Sequence, residues 1–214
     1  MNDYIKESII TKLKHIEQSY EVKIPLAIES GSRGWGFAAA NADYDCRFIY
    51  VSKPKKYLSI LEMDEFIEYE LDETYDIKGY DLKRVLKYIM KSQATISEWL
   101  SSDVVYIKDC SITNKLAKLA ADFFNPISVS HHYLSLAKKM MADITSADEA
   151  KIKKYFYILR PIANLNYIES LFSISIPPSF QQICPSLALA KNDRTFGYAR
   201  FRQAPILNKL CSKI

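Results

Sequence analysis

GSRGWGFAAANADYD, residues 31–45, holds three of the chain's five glycines within six positions and ends on two aspartates at i and i+2. Glycine concentrated in this way marks backbone that turns tightly, takes positive φ or lets another group approach closely. Just before it, PLAIES (25–30) is a short apolar run of strand character. Just after, DYDCRFIYVS (43–52) alternates strictly, with Asp43, Asp45, Arg47 and Ile49 on one face and Tyr44, Cys46, Phe48 and Tyr50 on the other. Two carboxylates side by side repel each other unless a cation joins them. Hard oxygen donors of this kind suit Mg²⁺ (or Mn²⁺), which binds through one or two carboxylates together with substrate phosphates. Gly31 and Ser32 can offer backbone N–H groups and a hydroxyl to a phosphate tail. A triphosphate–metal site is the chemistry these residue types support in this order.

Upstream of the strand, Ile5, Ile9, Leu13 and Ile16 predict an amphipathic helix over 3–19. Downstream, EFIEYEL (65–71) and TYDIKGY (74–80) read as two strands joined by a turn at Asp72 and Glu73. From Asp81 onward helical spacing takes over: Leu82, Val85, Leu86, Ile89 and Met90 follow a residue suited to cap them. Further helices are predicted over 95–101, 113–124, 129–145 and 148–172, the last kinked or divided at Pro161. The layout is α+β, with a mixed α/β unit over 1–92 followed by a helical region over 93–214 that completes the cleft.

Composition excludes several classes. With 49% hydrophobic and 25% charged residues the chain is ordinary globular stock, neither disordered nor fibrous. No apolar run approaches the ~18 residues of a membrane span, and the first twenty residues lack the apolar core of a signal peptide. Four scattered cysteines without a CxxC pair argue against zinc or a disulfide framework and suit a reducing cytoplasm. The formal charge of +4 is uneven: residues 170–214 carry +5 and the remainder −1. A basic end of this sort suits a polyanion, or else is merely solvated. His131 and His132, adjacent on a helix, diverge by about 100° and read as a helix start with no metal role, and His15 as surface.

Gly-Ser after a strand, a short spacer and Asp-x-Asp on the next strand together resemble the signature of the DNA-polymerase-β-like nucleotidyltransferases. GSRGWGF, ADYDCRFIYV, KKYLSI, YDIKGYDLKRVLKYI, SEWLSSDVVY, KKYFYILRPIANLNYIE and PPSF are similar to a narrower group, the RNA-ligase-associated predicted nucleotidyltransferases, over roughly Leu26 to Phe180. After Phe180 the likeness fades and a basic end replaces an acidic helical one. The resemblance implies a nucleotidyltransferase-type mixed sheet and Mg²⁺-dependent transfer of NMP from an NTP to an acceptor hydroxyl. It implies Asp43 and Asp45 as metal ligands, a third carboxylate at Asp76 with Asp81 as the alternative, and Gly31, Ser32 and Arg33 against the outer phosphates. Lys153, Lys154, Tyr157 and Arg160 would form a second wall. RNA is the favoured acceptor, no membrane is involved, and no protein partner is named. A non-catalytic nucleotide or RNA sensor, or a toxin or defence transferase acting on tRNA or protein, uses the same core.

Several of these residues also have plainer readings. Arg33 suits phosphate oxygens or a salt bridge to Asp43 or Glu29. Trp35 and Phe37 pack the loop onto the sheet. Glu98 holds Arg33 or Lys83, or sits on a helix surface, and Lys153, Tyr157, Arg160 and Asn164 form a polar helical stripe that would be solvated if it did not line the cleft.

Overall fold

The computed structural model describes residues 3–61, 63–71, 73–145 and 152–171. Ile9, Leu13 and Ile16 lie fully buried on one stripe of α1 (Asp3–Ser19), as their spacing predicts. Behind α1 is a five-stranded sheet of β1 (Lys23–Glu29), β2 (Tyr44–Val51), β3 (Phe66–Leu71), β4 (Tyr75–Asp81) and β5 (Val105–Lys108), in the order β3-β4-β2-β1-β5. β1 is buried along nearly its whole length, which is why it reads as a continuous apolar run. The β2–β4 pair is parallel, and the other three pairings are antiparallel.

Two cores form on the two sheet faces. Ala27, Cys46, Phe48 and Ile77 pack against α1. Leu26, Ile28 and Ile49 pack against α4 (Leu82–Met90), α5 (Ala94–Leu100) and α6 (Cys110–Asp122) through Val85, Ile89, Ile96, Trp99 and Leu116. Asp81 caps α4 as expected, its carboxylate accepting from the Lys83 N–H at 2.8 Å, and Asp109 caps α6 in the same way.

α7 (Pro126–Thr145) and α8 (Ile152–Leu171) run antiparallel, with Ala137 against Ile158 and Ile162, and Val129 and Tyr133 against Leu165 and Ile168.

Three expectations need correction. The sheet does not end before residue 92: Val105–Lys108, between the helices predicted over 95–101 and 113–124, adds an edge strand to β1 from within the helical region. Two short helical turns, α2 (Gly31–Gly34) and α3 (Pro54–Tyr57), were not anticipated. Of the two outcomes expected at Pro161, a kink or a division, the division does not occur: α8 continues through it, the lost N–H and ring clash being borne by a helix packed along α7. Residues 148–151 and 172–214, including the basic end, lie outside the described residues. No helix among the described residues is long and apolar enough to cross a membrane.

Candidate active site

The parallel pairing of β2 with β4 creates the site. Both strands start at the same end of the sheet and pair without a bulge, so Asp45 stands directly opposite Asp76. β1 ends at that same edge, and its continuation bends through Ser30, whose N–H donates to the Asp45 carbonyl at 2.7 Å. The α2 turn then follows. Gly31 has φ +60°, and a Cβ there would lie 1.9 Å from Asp45 Oδ2, so only glycine lets this carboxylate rest against the turn. A Cβ at Gly34 would come within 2.3 Å of the Glu29 carbonyl. Ser32 is buried and its carbonyl accepts from the Phe37 N–H, which closes the turn.

The fit to a divalent cation can be judged from the donors. Asp76 Oδ1 is buried and makes no hydrogen bond; its counter-charge is the Lys78 ammonium 3.5 Å away, a long ion pair that a harder cation at closer range would improve on. Asp45 and Asp76 thus present hard oxygen donors from neighbouring strands, and they fit such an ion. Asp43 precedes β2 and is exposed, so it lies outside the strand on which it was expected to pair with Asp45. Among the described residues no three carboxylate, histidine or cysteine side chains gather closely enough to hold a metal by themselves.

Glu29 was not singled out in the sequence, yet it holds the site together. It is 1% exposed; one oxygen accepts from the Asp45 N–H at 2.9 Å and the other from the Tyr106 hydroxyl at 2.5 Å. Burial pushes its carboxyl up to about 7, against the pull of these two hydrogen bonds. The available signal was a charge at the end of a buried apolar run. Arg47 and Lys78 were missed too: Arg47 donates to both Asp45 and Asp76, and Lys78 stands 3.5 Å from Asp76. Their signal was alternation, since each sits two residues beyond its aspartate.

Arg33 makes neither of the salt bridges considered for it. It donates to the carbonyls of Asp43 at 3.0 Å, Ala40 at 3.4 Å and Ala42, and its guanidinium lies 3.9 Å over the Tyr44 ring. It therefore shapes the loop before β2. Trp35 and Phe37 pack chiefly on α8 instead of the sheet: Phe37 stacks on Phe156 at 5.1 Å, and both rings meet Tyr157 edge-on at 5.6 Å.

The described part of the α8 stripe, Tyr157, Arg160 and Asn164, is not a solvated face. Arg160 is 7% exposed, donates to Glu98 Oε1 at 2.6 Å and lies 3.8 Å over Trp35; Asn164 is 3% exposed. Glu98 also accepts from Tyr133 at 3.0 Å, so it holds Arg160 and Tyr133, not Arg33 or Lys83. Tyr157 is half-buried, and burial together with the nearby Asp45 and Asp43 carboxylates holds its phenolic proton more tightly. Lys154 is exposed, and the Lys153 side chain lies outside the described residues. Arg160 Nε is buried and makes no hydrogen bond, and the residue lines a small pocket with Ser30, Gly34, Trp35, Glu98 and Asn164.

Comparison with known proteins gives this geometry a context. The chain is 44% identical over 174 residues to the uncharacterized protein YcgL of Bacillus subtilis (strain 168). That stretch is 81% of this chain and 66% of YcgL, so the chain spans just under two thirds of that relative's length. A crystal structure of a nucleotidyltransferase-like protein from Exiguobacterium sibiricum 255-15 overlays with a TM-score of 0.36 at 12% identity, over 96% of this chain and 75% of that one. A likeness that loose carries no weight. Residues 5–195 match RlaP, described as the RNA repair pathway DNA polymerase beta family, and the chain belongs to that family of the polymerase-β-like nucleotidyltransferases.

Proposed function

We propose that this protein transfers a nucleotidyl group from an NTP to an acceptor hydroxyl, with RNA as the acceptor class, and releases pyrophosphate. The observation that carries the reading is Asp45 opposite Asp76 at the mouth of the Gly31–Gly34 turn. Mg²⁺ or Mn²⁺ bound there would neutralise phosphate charge and polarise the reacting oxygens. Asp45 and Asp76 would hold the ion, with substrate phosphates completing its shell, because no third ligand gathers closely enough among the described residues. Asp43, exposed just before β2, would join them when substrate is bound.

The first N–H groups of the α2 turn have no intrahelical acceptor and suit phosphate oxygens. Tyr157, with Trp35 and Phe37 behind it, closes the opposite wall and limits water. In the transfer, the acceptor oxygen bonds to the α-phosphorus as the bond to the α–β bridging oxygen breaks, and the acceptor proton passes to solvent. Positioning and charge account for this chemistry, so a histidine base is not required. The RNA assignment draws on the family's description as an RNA repair family.

Incubation with each α-labelled NTP, Mg²⁺ and total RNA tests the reading. The intact chain is expected to label RNA and Asp45→Ala to leave it unlabelled. Nucleotide binding without label in any RNA, protein or small-molecule fraction would overturn transfer in favour of a sensor.

A further inference from the structure

Strand alternation carries Asp45 and Arg47 on β2, and Asp76 and Lys78 on β4, to one face of the sheet. The register sets Asp45 opposite Asp76 and Arg47 opposite Lys78. One guanidinium nitrogen, Arg47 Nη2, lies 2.6 Å from Asp76 Oδ2 and 3.4 Å from Asp45 Oδ1, while Nη1 donates to the Asp76 carbonyl at 2.7 Å. Lys78 Nζ stands 3.5 Å from the other Asp76 oxygen. The two carboxylates and two cations cancel in charge. With side-chain exposures of 16% for Arg47, 23% for Asp45 and 15% for Asp76, the group is largely withdrawn from water. Two carboxylates facing each other across neighbouring strands repel, and in the protein alone the cation shared between them is Arg47.

We propose that Arg47, assisted by Lys78, is a resident placeholder for the divalent cation. It neutralises the Asp45–Asp76 pair in the metal-free protein and is displaced when a divalent ion takes those oxygens. Arg47, released from both carboxylates, and Lys78, left with only Glu68 at 3.8 Å, then stand beside the site, where the polyphosphate of an NTP meets them. The inference rests on the nucleotidyltransferase reading of the site and adds a property that reading does not require. Breaking the Arg47 contacts costs free energy, so metal binding is weak in the absence of nucleotide. Nucleotide gives Arg47 and Lys78 a new anion, so metal and nucleotide each strengthen the other's binding, equally by linkage.

Mn²⁺ binding by calorimetry, with and without a non-hydrolysable NTP analogue, tests this on wild type and Arg47→Gln. In the absence of nucleotide the variant is expected to bind Mn²⁺ about tenfold more tightly, having lost the internal competitor. Wild type is expected to show at least about fivefold tightening of Mn²⁺ by the analogue, and Arg47→Gln to lose most of it. Equal or weaker Mn²⁺ binding by folded Arg47→Gln would overturn the placeholder while leaving the metal site standing.

If Arg47→Gln does not fold, Lys78→Met gives the same comparison with a smaller expected gain, and an absent gain counts equally against the proposal. In wild type, the Arg47 Nε–H resonance, assigned against Arg47→Lys, should move during Mn²⁺-free Mg²⁺ titration with the midpoint of metal binding. A stationary resonance rejects displacement. Failure of every form to bind Mn²⁺ would overturn both the placeholder and the nucleotidyltransferase reading.

Discussion

The two ends of β4 each carry an aspartate, and they are built for opposite purposes. Asp81, at the far end, is 1% exposed; Ser52 and Tyr57 donate to one oxygen at 3.2 and 3.0 Å, and the Lys83 N–H donates to the other. Its lone pairs are committed to fastening α3 and starting α4. Asp76, at the near end, faces Asp45 and keeps an oxygen that makes no hydrogen bond. A carboxylate whose oxygens are already saturated by neutral donors gains little from a metal, whereas one held by side-chain cations can exchange them for another cation. That contrast favours Asp76 over Asp81 as the third acidic residue of the site.

The largest effect should come from neutralising each end in turn. Asp76→Asn is expected to lower label transfer by on the order of 10³-fold or more while the protein melts near the wild-type temperature. Asp81→Asn should retain transfer per folded molecule within about threefold but lose about 2 kcal/mol of stability, because an amide disturbs the cap and leaves a buried donor facing two hydroxyls. Transfer assays beside urea unfolding separate the two. Inactive but stable Asp81→Asn with active Asp76→Asn would reverse the assignment.

What could be read in advance follows the same division between local and distant causes. α1, the first four strands and the Asp81 cap are set by periodicity and neighbouring residues, and all were legible. β5 was not: four residues between Ser102 and Asp109 carry too little alternation, and pairing with β1 is a tertiary event. The α8 stripe was read as polar, but its burial depends on Glu98, which lies on α5 far away in the chain. The carbonyls that Arg33 holds were not legible, because sequence does not show where backbone carbonyls will gather. The Asp45–Gly31 contact was foreshadowed by glycine spacing, whereas Arg47 lay in plain view on the carboxylate face without an assigned role.

Glu29 sharpens the comparison from between the two ends, being as buried as Asp81 but set against the near end. With its folded pKa raised to about 7 from 4.5, the native state holds a proton between these values that the unfolded chain has released. The native state therefore binds more protons, and stability falls as pH rises through that window, by roughly 3 kcal/mol, and is level below and above it. Asp45 nearby pushes in the same direction and Arg33 opposes it. Glu29→Gln keeps an acceptor for the Asp45 N–H and has no such titration. Its stability relative to wild type should rise between pH 5 and pH 8, measured by urea unfolding; a pH-independent difference would mean that Glu29 is already ionised in the fold.

The smallest effect concerns Arg33, which differs from Arg47 in what its fork holds. Arg47 grips carboxylates, which a metal can take from it; Arg33 grips the carbonyls at 40, 42 and 43 and covers Tyr44, which no substrate replaces. Lysine keeps the charge but cannot serve several carbonyls with one planar group. Arg33→Lys should therefore cost about 1 kcal/mol and loosen the 38–43 loop to proteolysis, with the NTP KM within about twofold of wild type. Were Arg33 a phosphate ligand, the variant would instead raise KM about tenfold with little change in stability. The KM measured beside the unfolding midpoint distinguishes an arginine that builds the site from one that touches its substrate.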